Sequence, residues 1–369
     1  MKTEKLLEAI GCIDDGFVVE ANARKRGQIK WPALAAACVA VVAAAAMFIP
    51  KLTANPSDGL PTLTVNSEFN TMGFEGYLAY DVKELKNGNP WTENMKLTEL
   101  PVFSNVGGLS AQEMLRRAGE TAYILGLTVD TLYVSPTEED IQREMEKAGE
   151  VNSYVPYRAT AICGTVEIRA EKDGQIRVFF GEAVEVPSPS SDADELTEYL
   201  LEQYAYLTDL EAPALDVFGD YDIYGERRFS YSAFEGEGDK ILGYNFNRVR
   251  FSLNEEGKLW IIDRRVVDLS QKIGDYPIIS AKEARKLLLE KRYVTSVPYE
   301  LTDAKNIAKV ELMYRVGAQD KVFMPYYRFL VELPEMRQDN GLRQYGAYYV
   351  PAVRDDFLEN LPIYGGEFN

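Results

Sequence analysis

Three residues near the C-terminus are best placed to meet a ligand. Tyr326, Arg328 and Tyr348 lie in two alternating runs that read as paired strands. If they share the outer face, two phenol rings flank one guanidinium, a surface suited to an extracellular peptide or glycan. The same tyrosines would equally serve as cross-strand partners that stabilise a sheet. Catalytic constellations are missing. The chain has no histidine, which removes Ser-His-Asp and Cys-His triads, histidine-metal sites and the usual general base at neutral pH. It has no Gly-x-Ser-x-Gly, no Ser-x-x-Lys and no phosphate loop ending in Gly-Lys-Ser/Thr. Asp220-Tyr221-Asp222-Ile223-Tyr224-Gly225 begins like a calcium loop. Tyr224 then replaces an oxygen ligand and Tyr231 stands where the bidentate Glu belongs, so a polar turn is expected. Glu138-Glu139 suits the first turn of a helix, and no spacing singles out a glycosidase carboxylate pair. The expectation is a non-enzyme with no cofactor and no metal.

Charge narrows the partners. The 369 residues hold 40 Lys+Arg and 58 Asp+Glu, a net charge of −18. Residues 1–50 contain six basic and five acidic side chains, so all of the excess lies beyond Pro50. An acidic domain repels phosphate backbones, so no nucleic-acid partner is expected. Of the three cysteines, Cys163 lies in the apolar run Ala161-Ile162-Cys163 and reads as a packed core residue. Cys12, Cys38 and Cys163 fall in different compartments of the topology below, so no intrachain disulfide is expected.

The elements that must position these residues follow from caps and periodicity. Ser110 with Glu113, and Ser280 with Glu283, read as capping boxes opening apolar-periodic helices. Thr137 opens a shorter helix towards Gly149. Ser191 or Asp192 opens another, with Leu196, Leu200 and Tyr204 on one face. Strand-like runs fall near 128–134, 159–169 and 175–186, then 228–234, 241–253 and 258–267, then 307–316, 321–333 and 344–353. Hairpin turns are expected at Asp173-Gly174 and Glu256-Gly257. The order predicts an α+β fold of repeated units, each a helix followed by a three-strand antiparallel meander. In the last unit Tyr327, Phe329, Val331 and Leu333 would face the helix, with Tyr326, Arg328, Leu330 and Glu332 pointing away.

Ahead of this lies an uncharged apolar run, Ala33 to Ile49. Seventeen residues at helical rise cover about 26 Å, close to the hydrocarbon thickness of a bilayer. Arg24, Lys25, Arg26 and Lys30 precede it, which places the N-terminus in the cytoplasm and the C-terminal domain outside the cell. A cleaved signal peptide is the competing reading, although thirty residues ahead of the apolar core is long for one. Leu6, Leu7, Ile10 and Ile13 recur at helical spacing, so the tail is either a short amphipathic helix that docks on a cytoplasmic partner or the membrane surface, or a frayed end. The expected organisation is a cytoplasmic tail (1–30), a transmembrane helix (31–50), an extracellular linker (51–72), a membrane-proximal α+β domain (73–187) and a C-terminal α+β domain of two helix-plus-meander units (188–369).

Several stretches carry a resemblance: Leu6-Leu7-Glu8-Ala9-Ile10-Gly11, Gly73-Phe74-Glu75-Gly76-Tyr77, Asn89-Pro90-Trp91, Tyr244-Asn245-Phe246-Asn247, Met324 to Phe329 and Tyr345 to Pro351. Together they resemble a family of uncharacterised bitopic membrane proteins from anaerobic Firmicutes. The helix-plus-strand units look, more distantly, like PepSY-type domains, which occur in YycI-type regulators that restrain sensor kinases. The tail placement is similar to that of membrane anti-sigma factors, without the zinc-binding His/Cys motif common among them. The layout of tail, apolar span and large outer domain without a catalytic constellation, with these resemblances as analogy, predicts a single-pass membrane protein with an extracellular sensory or regulatory domain, modulating a sigma factor or sensor kinase. The alternative is a membrane-anchored module that binds and inhibits a peptide or peptidase.

Overall fold

The longest regular feature is an antiparallel sheet whose strands alternate apolar and ionic side chains. The structure is a computed structural model and describes residues 59–66, 74–136, 157–187, 192–317 and 320–365. The expected tail with Leu6, Leu7, Ile10 and Ile13, the apolar run 33–49 and the helix from Thr137 lie outside the described residues. Residues Leu63–Asn369 form one compact unit. The strands are β1 (Leu63–Thr64), β2 (Gly76–Ala79), β3 (Glu99–Ser104), β4 (Thr131–Ser135), β5 (Arg158–Cys163), β6 (Val166–Glu171), β7 (Gln175–Val184), β8 (Pro213–Leu215) and β9 (Phe218–Tyr221). They continue as β10 (Arg227–Glu235), β11 (Asn247–Leu253), β12 (Leu259–Val266), β13 (Lys272–Pro277), β14 (Ile307–Tyr314), β15 (Val322–Phe323), β16 (Pro325–Leu333), β17 (Arg343–Pro351) and β18 (Leu358–Glu359). The helices are α1 (Ala111–Ile124), α2 (Ala193–Gln203), α3 (Ala205–Thr208), α4 (Lys240–Phe246) and α5 (Ala281–Leu289).

The expectation of separate helix-plus-three-strand units is corrected by the sheet topology. Strands run in the order β4-β5-β6-β7-β12-β11-β10-β8, with β9 also on β10, in one nine-stranded sheet. The meander following α1 and the meander following α2 are joined because β7 and β12 pair antiparallel, Val178 opposite Ile262 and Arg177 opposite Asp263. The boundary expected at 187/188 falls between β7 and α2, within this sheet's sequence span. The described fold is therefore dominated by strands, with short helices laid against them. No helix among the described residues is long and apolar enough to cross a membrane, so they lend no support to the expected transmembrane helix.

Local chemistry explains most elements. The side chain of Ser110 accepts from the Glu113 amide, and that of Asp192 from the Asp194 amide. Ser280 and Glu283 complete a reciprocal capping box. Turns form at Asp173-Gly174 and at Asn254 to Gly257. Three runs differ from expectation: 321–333 divides between β15, which pairs with β3, and β16 of a separate four-stranded sheet. The stretch 159–169 turns at Gly164 into two strands, β5 and β6. The first half of 241–253 is helix α4: the Asp239 carboxylate accepts from the amides of Ile241 and Leu242, and the strand begins only at Asn247.

Alternation gives the large sheet two unlike faces. Ala161, Ile168, Val178, Ile262, Phe251 and Tyr231 are successive cross-strand neighbours on one face. They pack with Met114 and Ala118 of α1 and Leu196 and Leu200 of α2, and Cys163 is buried in the same core, as expected. A second sheet, β14-β16-β17-β2, puts Leu312, Tyr327, Phe329, Val331 and Tyr348 against Ala284 and Leu288 of α5. The smaller sheet β13-β3-β15 adds Phe103 and Phe323 to this second core.

Helix α4 joins the second core to strand β10 of the large sheet. Phe246 packs with Phe103, Tyr314 and Phe323, and Tyr244 meets Phe234 of β10 edge-to-face at 5.3 Å. Gly243 permits this approach, since a Cβ there would lie 1.9 Å from the Glu235 carbonyl oxygen. The Gly243→Ala change should lower unfolding stability by about 2–3 kcal/mol through overpacking against backbone. Urea unfolding of the full-length protein checks this, and an unchanged midpoint would show that α4 is not held so closely to β10.

Candidate functional site

The second face of the large sheet is ionic. Thr160, Arg169, Arg177, Asp263, Arg250 and Ser232 are successive cross-strand neighbours over six strands. Part of this face, helix α4, and residues Tyr77 and Arg328 of the four-stranded sheet border a cleft of about 390 Å³. That volume falls in the range of small-molecule sites. Arg248, Arg250, Arg265 and Arg328 line it, with only Asp216 and Asp263 as lining carboxylates. The Ser230 and Ser232 hydroxyls, 3.3 Å apart, supply neutral polar groups.

Asp263 is the central anion of this wall. It accepts from Arg177 Nε at 2.5 Å and Gln175 Nε2 at 3.1 Å through Oδ1, and from Arg250 Nη2 at 2.7 Å through Oδ2. One buried carboxylate thus holds two guanidinium groups from different strands. Asp216, also buried, accepts from Arg248 Nη2 at 2.5 Å and from the Gly88 amide at 2.7 Å. The Arg248 guanidinium lies over the Tyr244 ring, 5.3 Å from its centroid.

Arg328 plays a different part from the one its sequence position suggested. Although it borders the cleft, it is only 9% exposed. Its Nε and Nη2 reach Glu311 Oε2 at 3.0 and 2.5 Å, and its Nη1 reaches Glu75 Oε1 at 3.0 Å and the Tyr77 hydroxyl at 3.2 Å. The Tyr349 hydroxyl donates to Glu75 Oε2 at 2.6 Å, while Lys309 and Asn87 donate to Glu311 Oε1. Every arm of this guanidinium has a partner, so its role here is cohesive: an unpaired charge at this depth would cost several kcal/mol.

Tyr326 is buried and its ring meets Tyr349 edge-to-face. Tyr348 lies opposite Phe329, so it points to the α5 side, away from Tyr326 and Arg328. There its hydroxyl donates to the Tyr299 carbonyl at 2.7 Å. The expected outer surface is therefore split: Tyr349, not Tyr348, accompanies Arg328, and all are enclosed. The residues missed are Arg248, Arg250, Asp263 and Arg265. Their sequence signal is the alternation Arg248-Val249-Arg250-Phe251, which puts two guanidinium groups on one side of a strand.

The segment Asp222 to Glu226 forms the turn between β9 and β10, where Asp222 Oδ1 accepts from the Tyr224 and Glu226 amides. No family model matches the chain, and no curated protein matches it.

Burial alone would raise the Glu311 carboxyl, but Arg328 and Lys309 outweigh burial and hold it down at about 2, below the ordinary 4.5. A carboxyl depressed on folding contributes stability above its unfolded pKa that is lost as pH falls through the folded one. Stability should therefore drop between pH about 4.5 and about 2. Glu311→Gln should flatten that drop and cost about 3 kcal/mol at pH 7 by leaving Arg328 short of a counter-ion. Chemical unfolding of both proteins across this pH range tests it, and parallel pH profiles would remove Glu311 from the account.

Proposed function

We propose that the folded unit is the ligand-binding part of a sensory or regulatory protein and not a catalyst. The observation that carries this reading is the cleft beside Asp263. Each lining arginine has a carboxylate partner in the cleft or behind its wall, and among the described residues no lining serine hydroxyl is hydrogen-bonded to a carboxylate. Such a wall can hold a ligand by fixed charges, but general acid–base work needs a group whose proton can move near neutral pH. Location at the cell membrane with this unit outside belongs to the same proposal and rests on sequence: the basic residues Arg24 to Lys30 precede the apolar run 33–49. A sigma factor or a sensor kinase is the partner class this arrangement suits.

The alternative, an anchored module that binds a peptide or peptidase, loses the exposed groove expected of Tyr326, Arg328 and Tyr348, because these side chains are enclosed and divided between two faces.

Crosslinking from intact cells with tagged full-length protein should recover a sensor kinase or a sigma factor. Arg265→Gln, which removes a lining charge and leaves the Asp263 pairs in place, should alter the amount recovered without changing the level of the protein itself. Repeated recovery of neither class would count against regulation.

A further inference from the structure

Two features of the cleft wall call for a negative guest. Arg248 and Arg265 are directly opposite each other on β11 and β12, on the same face. Side chains at such positions start only about 5 Å apart, and like charges there repel. The next pair along, Arg250 and Asp263, is complementary, so the sheet has a register that could have matched charges throughout. Secondly, the donors of this like-charged pair are only partly used. Arg248 gives one N–H to Asp216 and Arg265 one to Asp173. The Nε of Arg265 is buried and has no hydrogen-bond partner among the described residues. A guanidinium offers five donors. An orphaned buried donor is costly, and it leaves this guanidinium short of partners for its charge.

These features belong to a chain with net charge −18, in which a surface drawn at random would be acidic. We infer that the cleft binds a small diffusible anion, a carboxylate or phosphate, held between Arg248 and Arg265 with Arg250 beside them and the Ser230–Ser232 hydroxyls within the same cavity. Forked N–H donors match the paired oxygens of either group. A cavity of about 390 Å³ admits a small molecule and not a folded partner. The inference deepens the binding role proposed above and gives that role its ligand chemistry.

The test uses purified full-length protein, with inorganic phosphate and succinate titrated separately in calorimetry and thermal unfolding. One or both should bind and raise the unfolding midpoint, and the comparison shows which oxyanion the site prefers. Arg265→Gln should weaken binding about tenfold or more by removing charge-assisted bonds. Without anion its midpoint should hold or rise, because the repulsion with Arg248 is gone. Arg265→Lys, which keeps the charge but loses the fork, should fall between. Arg116→Gln, an equal charge change on exposed α1, should bind as the parent does. Overturning results are no response of the parent to either anion, or a response that survives Arg265→Gln. Anion binding without recovery of a regulatory partner from cells would leave this site standing and remove only the regulatory role. Partner recovery without anion binding would do the reverse.

Discussion

The pairing of β7 with β12 is the contact on which the architecture turns. It joins strands from two separate meanders by backbone hydrogen bonds and brings Arg177 and Arg250 to either side of Asp263. Neither meander alone owns the ionic wall. The first supplies Gln175 and Arg177, and the second supplies Arg248, Arg250, Asp263 and Arg265. The same pairing aligns Val178 with Ile262 on the other face, so one register serves both a dry core and a charged surface. A shift by one residue would send arginines under α1 and α2, which the cost of buried unpaired charge forbids.

The two cores are built from unlike materials. Between the large sheet and its helices α1 and α2, small and aliphatic side chains such as Ala118 of α1 and Ala159, Ala161 and Ile168 of the sheet pack together. Beneath α5, aromatic rings dominate, with the Tyr293 ring in contact with those of both Tyr348 and Tyr364. On the reverse of that aromatic sheet, Arg328, Glu311 and Glu75 form a closed ionic cluster. The cluster ties β2, β14 and β16 together by charge where the neighbouring face uses rings.

Features governed by a few adjacent residues were legible in the sequence. Caps at Ser110 and Ser280 and turns at Asp173-Gly174 and near Glu256-Gly257 depend on short-range hydrogen bonds, and they appear where residue type placed them. The side-chain alternation of β16 was legible too, with Tyr327, Phe329, Val331 and Leu333 on the α5 side. Helix α4 was hidden because Leu242, Tyr244 and Phe246 alternate like a strand over a span too short to show a helical period. Merging of the meanders was hidden because it depends on residues far apart in the chain, such as Arg177 and Asp263. Tyr348 was placed on the wrong side because parity on β17 depends on which residue opposes Phe329, and composition does not specify that register. The arginine wall needed both missing facts: which strands are neighbours, and how they align.

The contrast between an acidic exterior and a guanidinium-lined cleft bears on how any charged solute would arrive. At physiological ionic strength fields decay over about 8 Å, so the arginines are not felt beyond the mouth. Further out, the excess of carboxylates repels the very solutes the interior would hold. Electrostatic steering, which accelerates encounter in proteins of complementary overall charge, works against entry here. Discrimination then falls to contacts made after arrival, and a slow encounter becomes the natural companion of a selective interior.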